Sequence, residues 1–148
     1  MSQSISKPKI FLSSEFTKGF IELVESAERS IYIFMFDWRW YKDDFSCDVS
    51  LINQALVRAA RRGVKVQALL NYDELEEQLN KLSITAKKAN VKKLLHAKSI
   101  VIDEEILVIG SHNWSKEAMS ANVEMSVVLT DADVSKRIIN YFQSIWSS

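Results

Sequence analysis

The sequence predicts an α/β domain: a mixed, largely parallel β-sheet flanked by helices on both faces, formed by one domain spanning residues 1–148. Three observations lead there. Short apolar runs rich in β-branched and aromatic residues alternate with stretches of helical period, the order that builds a covered sheet. Gly (3) and Pro (1) are too scarce for a turn-rich all-β fold or a disordered chain. A length of 148 residues suits one core rather than two, and no repeat, linker or low-complexity tract divides it.

Ile10-Phe11-Leu12, just after the proline, reads as a first strand. Ser13 or Ser14 then caps a helix with Phe16, Phe20, Leu23, Val24 and Ala27 along one side. Ser30 to Phe36 is continuous and apolar, as expected of a strand covered on both faces. An aromatic and acidic loop from Asp37 to Cys47 leads to a helix with Val49, Ile52, Leu56, Ala59 and Ala60 inward, stopped by Gly63. Val64 to Leu70 is the next strand, and strand–helix–strand implies parallel pairing. Asp73 to about Lys88 reads as a charged helix, acidic at its start and basic at its end. The apolar runs Val91–Leu95, Ser99–Ile102 and Ile106–Ile109 follow, the last two joined by a turn at Asp103-Glu104-Glu105. Asn122 to Leu129 is a further strand. Thr130 and Asp133 are the candidate caps of a last helix striped by Val134, Ile138, Tyr141, Phe142 and Ile145.

Composition narrows the function classes. Nineteen basic and nineteen acidic residues cancel, so any phosphate-binding surface must be local. Cys47 is alone, which excludes an internal disulfide and a cysteine-based zinc site. The opening residues, Met1 to Lys9, lack the apolar run of a secretion signal, and no stretch approaches the ~20 apolar residues of a bilayer span. The expectation is a soluble, cytoplasmic chain.

The chemistry concentrates between His96 and Asn113. His96 and Lys98 lie two apart on an extended segment and leave it on the same face. Ile100 and Ile102 continue that face into the core, and Asp103 stands at the far end. The hairpin returns Gly110-Ser111-His112-Asn113 to the neighbourhood of His96, at one edge of the sheet. An imidazole, an ammonium, a hydroxyl and an amide suit a phosphodiester, with the first attacking phosphorus and the cation and amide holding its oxygens. No group of carboxylates and histidines has the spacing to hold Mg²⁺ or Zn²⁺, so Lys98 would stand in for a metal and no cofactor is expected.

The pattern His-x-Lys-x4-Asp-x6-Gly-Ser-x-Asn, written by His96, Lys98, Asp103, Gly110, Ser111 and Asn113, resembles the signature of the phospholipase D superfamily. The likeness extends upstream through Ala59-Ala60-Arg61-Arg62-Gly63-Val64-Lys65-Val66 and downstream to Asn122-Val123-Glu124, covering roughly Ile10 to Trp146. The resemblance implies an α/β/α sandwich and a metal-independent phosphodiesterase working through a phosphohistidine. It makes His96 the nucleophile, Lys98, Ser111 and Asn113 the phosphate-binding groups, and Glu124 the partner of the second ring nitrogen of His96. Asp103 enters the catalytic set with an orienting role. A single motif supplies one imidazole where in-line displacement needs two. Short single-motif members of the family pair as two-fold homodimers, so the general acid is expected to be His96 of a second copy. His112 fills a variable motif position and is the alternative intrachain acid.

Other residues stay open between two readings. Trp38 and Trp40 could stack on bases or pack the loop. Lys92 and Lys93, with Lys87 and Lys88, could track a phosphate backbone or form a solvated face. DNA or RNA is the favoured substrate and partner. A cardiolipin-type phospholipid is the alternative, and a nucleic-acid-binding module with little turnover the third. The chain could also be part of a larger protein.

Overall fold

A computed structural model describes residues 7–148. Residues 1–6 of the opening segment, where a leader would lie, fall outside them. In chain order the elements are β1 (Lys9–Leu12), α1 (Glu15–Ser26), β2 (Ser30–Met35), α2 (Asp48–Arg61), β3 (Lys65–Leu70), α3 (Glu76–Lys81), β4 (Thr85–Lys88), β5 (Lys98–Ile102), β6 (Ile106–Gly110), α4 (Lys116–Ser120), β7 (Met125–Thr130) and α5 (Ala132–Trp146). The strands form one sheet in the order β1-β7-β6-β5-β2-β3-β4.

The α/β class with helices on both faces holds, but the balance of strand directions is corrected. Parallel pairing is confined to β2–β3 and β3–β4. The contacts β1–β7, β7–β6, β6–β5 and β5–β2 are antiparallel. The reason is local. β2, β3 and β4 follow one another through helical crossovers, which return the chain in the same direction, whereas β5 and β6 are joined by a tight turn that folds the chain straight back.

Period-two alternation sorts each central strand between two cores. Ile31 and Ile33 of β2, with Ile100, Ile102 and Val108, meet Phe16, Phe20 and Val24 of α1 and Ile52 and Leu56 of α2. Phe34 of β2 turns to the other face and packs with Leu69, Leu95 and Phe142 of α5. Val101, Leu107 and Ile139 continue that second core. Each such side chain, fully buried, contributes about 1.5–3 kcal/mol.

Two elements differ from expectation. The segment 73–88 is not one helix. It holds the short α3, then a left-handed Ser83 (φ 68°), then the edge strand β4. Burial of Ile84 and Ala86 decides this, and Asn80 fixes the turn by bonding to both the N–H and the C=O of Ala86. In α5 the cap is Asp131, which accepts from the N–H of Val134. Its buried face carries Ser135, Ile139 and Phe142, leaving Val134 and Tyr141 exposed. The strand expected from Asn122 begins only at Met125. No helix among the described residues is long and apolar enough to cross a membrane.

Candidate active site

β5 and β6 are interior strands, so the motif residues converge at the end of the sheet's centre rather than at an outer edge. His96 lies two residues before β5. Its position is set by Leu95, whose side chain is buried and whose N–H donates to Oδ1 of Asn71 at 2.9 Å. The imidazole is exposed and lies on Phe36, with ring centroids 4.7 Å apart. Phe36 and Asn71 were not read from the sequence as site residues. Each directly follows or nearly follows a parallel strand's C-terminal end, the signal that could have found them.

Lys98 opens β5. Its Nζ is 3.2 Å from Nδ1 and 3.3 Å from Nε2 of His96, and 5.3 Å from the Phe36 ring centre. Equal distances to both ring nitrogens place the ammonium off either lone-pair axis. It therefore sits across the ring as a positive charge rather than bonding one nitrogen. Burial lowers the Lys98 pKa from its ordinary value, and the Glu124 carboxylate pulls weakly the other way.

Asn113 accepts the Asp37 N–H on its Oδ1 at 3.3 Å, which orients the amide so that its NH₂ group can donate to a ligand. The backbone is tied in at the same place: Trp114 N–H donates to the Asp37 carbonyl and Arg39 N–H to the Trp114 carbonyl, both at 2.9 Å. Ser111 donates its hydroxyl to Glu124 Oε1 at 2.5 Å, and Asn122 Nδ2 donates to Oε2 at 3.0 Å. The expected bond from Glu124 to the His96 ring is therefore not made within the chain. Both Glu124 oxygens hold Ser111 and Asn122 instead. Gly110 is required here, because a Cβ would meet the Met125 carbonyl oxygen at 2.2 Å.

Three sets of residues that the sequence left with more than one reading, Asp103, Trp38 and the lysines before His96, have definite places in the structure. Asp103 stands at the opposite end of β5 from His96. Its carboxylate accepts the N–H groups of Glu28 (3.0 Å), Arg29 (2.7 Å) and Ser30 (3.1 Å), closing a turn in which Asp103 and Glu104 are left-handed. Burial would raise its pKa, yet the three donated N–H bonds and the Arg29 charge hold it below the ordinary value. Asp103 thus orients the start of β2 and does not reach the site. Trp38 is buried, donates its indole N–H to Asn53 at 2.7 Å and packs edge-on against Trp114, so it offers no face to a base. Lys87 reaches the Trp146 carbonyl and lies over that residue's ring, leaving Lys88, Lys92 and Lys93 as the exposed lysines of this stretch.

His112 is sealed in the core at 1% exposure. Nδ1 lies 2.7 Å from Ser126 Oγ, Nε2 lies 2.9 Å from the Ser13 carbonyl oxygen, and the ring stacks on Phe16 at 4.5 Å. The carbonyl can only accept, so Nε2 carries the proton and Nδ1 accepts from the serine. Burial depresses its pKa more than the Ser13 bond and the Glu124 charge restore it. Ser13, held in a left-handed conformation (φ 45°), in turn bonds the backbone of Glu124 in both directions.

One polar end of the sheet thus presents a single exposed imidazole, an ammonium across it, an amide aimed outward and a carboxylate–hydroxyl pair behind. Among the described residues no group of three His, Cys, Asp or Glu side chains is placed to hold a metal ion. The family model described as "Cardiolipin synthase, PLD-like domain" matches residues 20–146. The chain belongs to the phospholipase D-like family. Phospholipase D of Rickettsia prowazekii is 30% identical over 133 residues, which are 85% of this chain and 60% of that protein. A mitochondrial cardiolipin hydrolase of Chlamydomonas reinhardtii is 25% identical, over 86% of this chain and 56% of its own length. This phospholipase D-like chain therefore spans about three fifths of the curated relatives it matches. The solved structure of NucT from Helicobacter pylori superposes with a TM-score of 0.78 at 23% identity, covering 96% of both chains, and shows the shared fold.

Proposed function

We propose that this domain is a metal-independent phosphodiesterase that cleaves DNA or RNA through a covalent phosphohistidine on His96, with His96 of a second copy as general acid. The observation that carries the reading is one exposed imidazole beside the Lys98 ammonium at 3.2 Å, while the chain's other histidine is locked in the core. A ring nitrogen of His96 attacks phosphorus as the bond to the leaving oxygen breaks, and that oxygen takes a proton from the second imidazolium. Water, giving its proton to that second imidazole, then attacks phosphorus and breaks the P–N bond. Lys98 and Asn113 hold the non-bridging oxygens as charge develops on them. Glu124 and Ser111 keep that pocket in shape.

A second copy is favoured by the sheet face beside the site. Ile10 and Leu12 of β1, Met125 of β7 and Ile109 of β6 share one face by register and are exposed, and the neighbouring Val123 is 88% exposed. An apolar patch contiguous with Ser111 and Glu124 fits a two-fold contact that brings two sites together. Nucleic acid is favoured as substrate by the exposed Lys88, Lys92 and Lys93 just ahead of His96. A phospholipid substrate is the second reading, favoured by the exposed Val91 and Leu94 in the same segment.

The test is cleavage of labelled single- and double-stranded DNA and RNA, and of cardiolipin vesicles, in excess EDTA beside His96→Asn. Nucleic-acid cleavage by the wild type alone is expected. Turnover by His96→Asn at more than a trace removes the phosphohistidine, and cleavage of the vesicles alone moves the substrate to lipid.

A further inference from the structure

A cavity of about 430 Å³ opens beside the proposed phosphate site. It lies at the C-terminal ends of the parallel strands β2 and β3, the end of the strands at which open α/β sheets take their ligands. Its volume is that of a small-molecule site. Phe36 joins the two places. One side lines the cavity, and the ring also contacts His96 at 4.7 Å and lies 5.3 Å from Lys98 Nζ.

The lining is aromatic with a polar rim. Tyr72 is 47% exposed and meets Phe36 at 5.8 Å between ring centres, and the half-buried Trp40 lines the same space. On the rim Arg39 Nε donates to Asp37 Oδ1 at 2.7 Å, and Glu74 stands nearby in the lining. The ion pair uses two guanidinium donors, and three remain, while each carboxylate oxygen keeps a free lone pair. An acyl chain would gain nothing from these charges and would strip them of water. A phosphate would be repelled by Asp37 and Glu74. A flat heterocycle with donors and acceptors along its edge answers both parts of the lining.

We infer that this cavity is a nucleobase subsite, which takes the base of the nucleotide flanking the phosphate at His96. Tyr72 stacks on the base, and the Asp37–Arg39 pair hydrogen-bonds its edge. The inference rests on the nucleic-acid reading of the site and adds a determinant of position and rate to it. Tyr72 makes no contact with the reacting atoms, so its removal leaves the chemistry of His96 and Lys98 in place.

The test compares two oligonucleotides that differ only by an abasic residue next to the cleaved phosphate, with wild type, Tyr72→Ala and Tyr72→Phe. In the wild type kcat/KM falls on the abasic substrate by roughly 5- to 150-fold, the worth of one base stacked on an aromatic ring. Tyr72→Ala shows that loss already on the intact substrate and no further loss on the abasic one, and Tyr72→Phe restores the difference. A wild type that cleaves both substrates equally, or a Tyr72→Ala that slows both alike, overturns the subsite while leaving the nuclease reading standing. Cleavage of neither oligonucleotide, with turnover of cardiolipin vesicles, overturns both.

Discussion

One histidine is exposed and the other is buried in the core, and replacing His112 tests whether the buried one serves the fold alone. His112→Ala removes two buried hydrogen bonds, to Ser126 and to the Ser13 carbonyl, each worth about 1 kcal/mol net. It leaves the Ser126 hydroxyl, itself 3% exposed, without its partner, and it deletes the ring stacked on Phe16. Together these cost about 3–5 kcal/mol, most of the stability of a marginal domain. His112→Gln, which keeps an amide able to meet one of the two partners, should cost about half as much. Its urea midpoint should fall, while turnover of the folded protein at low temperature drops by no more than about tenfold, the loss expected from a slackened Ser13 and Glu124 backbone. The pH dependence has a definite sign. Because the folded pKa lies below the ordinary histidine value, the unfolded chain takes up the proton first as pH falls. The His112 contribution is complete above about pH 6.5 and is lost as pH falls through the lower folded value. Urea melts at pH 8 and pH 5 should therefore differ less in His112→Gln than in the wild type. A variant with unchanged stability and turnover reduced a thousandfold would refute the reasoning and make His112 the intrachain acid.

Other perturbations separate placement from chemistry. Asp103→Ala should destabilise by about 2–3 kcal/mol, through three lost N–H bonds and an alanine forced left-handed, with kcat of the folded enzyme unchanged; a kinetic defect at normal stability would return Asp103 to the catalytic set. Its share of stability should be complete above about pH 4 and fade as pH falls through its depressed folded pKa, which acid melts of wild type and variant can compare. Lys98→Met should cost on the order of 10²–10³ in rate. In the wild type, activity should be lost on the alkaline side at a pH below that of an ordinary lysine, as the ammonium deprotonates at its lowered pKa, and the variant should lack that limb. Val123→Asp, on a fully solvated loop, should leave the melting temperature unchanged yet shift light scattering to monomer and abolish turnover; an active monomer would end the two-copy reading.

What the sequence disclosed follows from the range of each signal. The unbroken apolar runs Ile31–Met35 and Ile100–Ile102 report burial on both faces, because neighbours on a strand face opposite cores. The spacing from His96 to Asn113 reports a hairpin whose two ends meet, and they do. The same spacing put Asp103 at the far end of the strand, and the resemblance alone drew it into the catalytic set, since a motif can span a whole strand. Five strand residues carry the chain roughly 17 Å, so membership of the pattern and membership of the site are different properties. The charged segment 73–88 defeated the dipole argument, because six residues satisfy the pattern of end charges as well as sixteen do, and the burial of Ile84 and Ala86 decides the rest. In α5 the apolar residues cover about half the helix circumference, wider than the face that is buried, so the buried side was set by the sheet that receives Ile139 and Phe142. Trp38 was ambiguous for a similar reason: only the tertiary partners Asn53 and Trp114 distinguish a packed indole from a stacking platform.

Why one chain offers one imidazole is a matter of strand geometry. Val108 faces the α1–α2 core, and the chain keeps its ladder contacts past β6, through Ser111 N–H to Met125 and Trp114 N–H to Asp37. Positions 108, 110, 112 and 114 therefore point one way and 111 and 113 the other. Gly110 lies tight against Ser126, His112 stacks on Phe16, and Trp114 fills the core against Phe20. Ser111 and Asn113 are turned toward Glu124 and Asp37 by the same alternation. A histidine placed between two pocket residues on an extended run cannot join them without turning both away. If the reaction needs a second imidazole at phosphorus, the alternation that builds this pocket also requires the imidazole to come from a second copy of the chain, which makes assembly part of the chemistry.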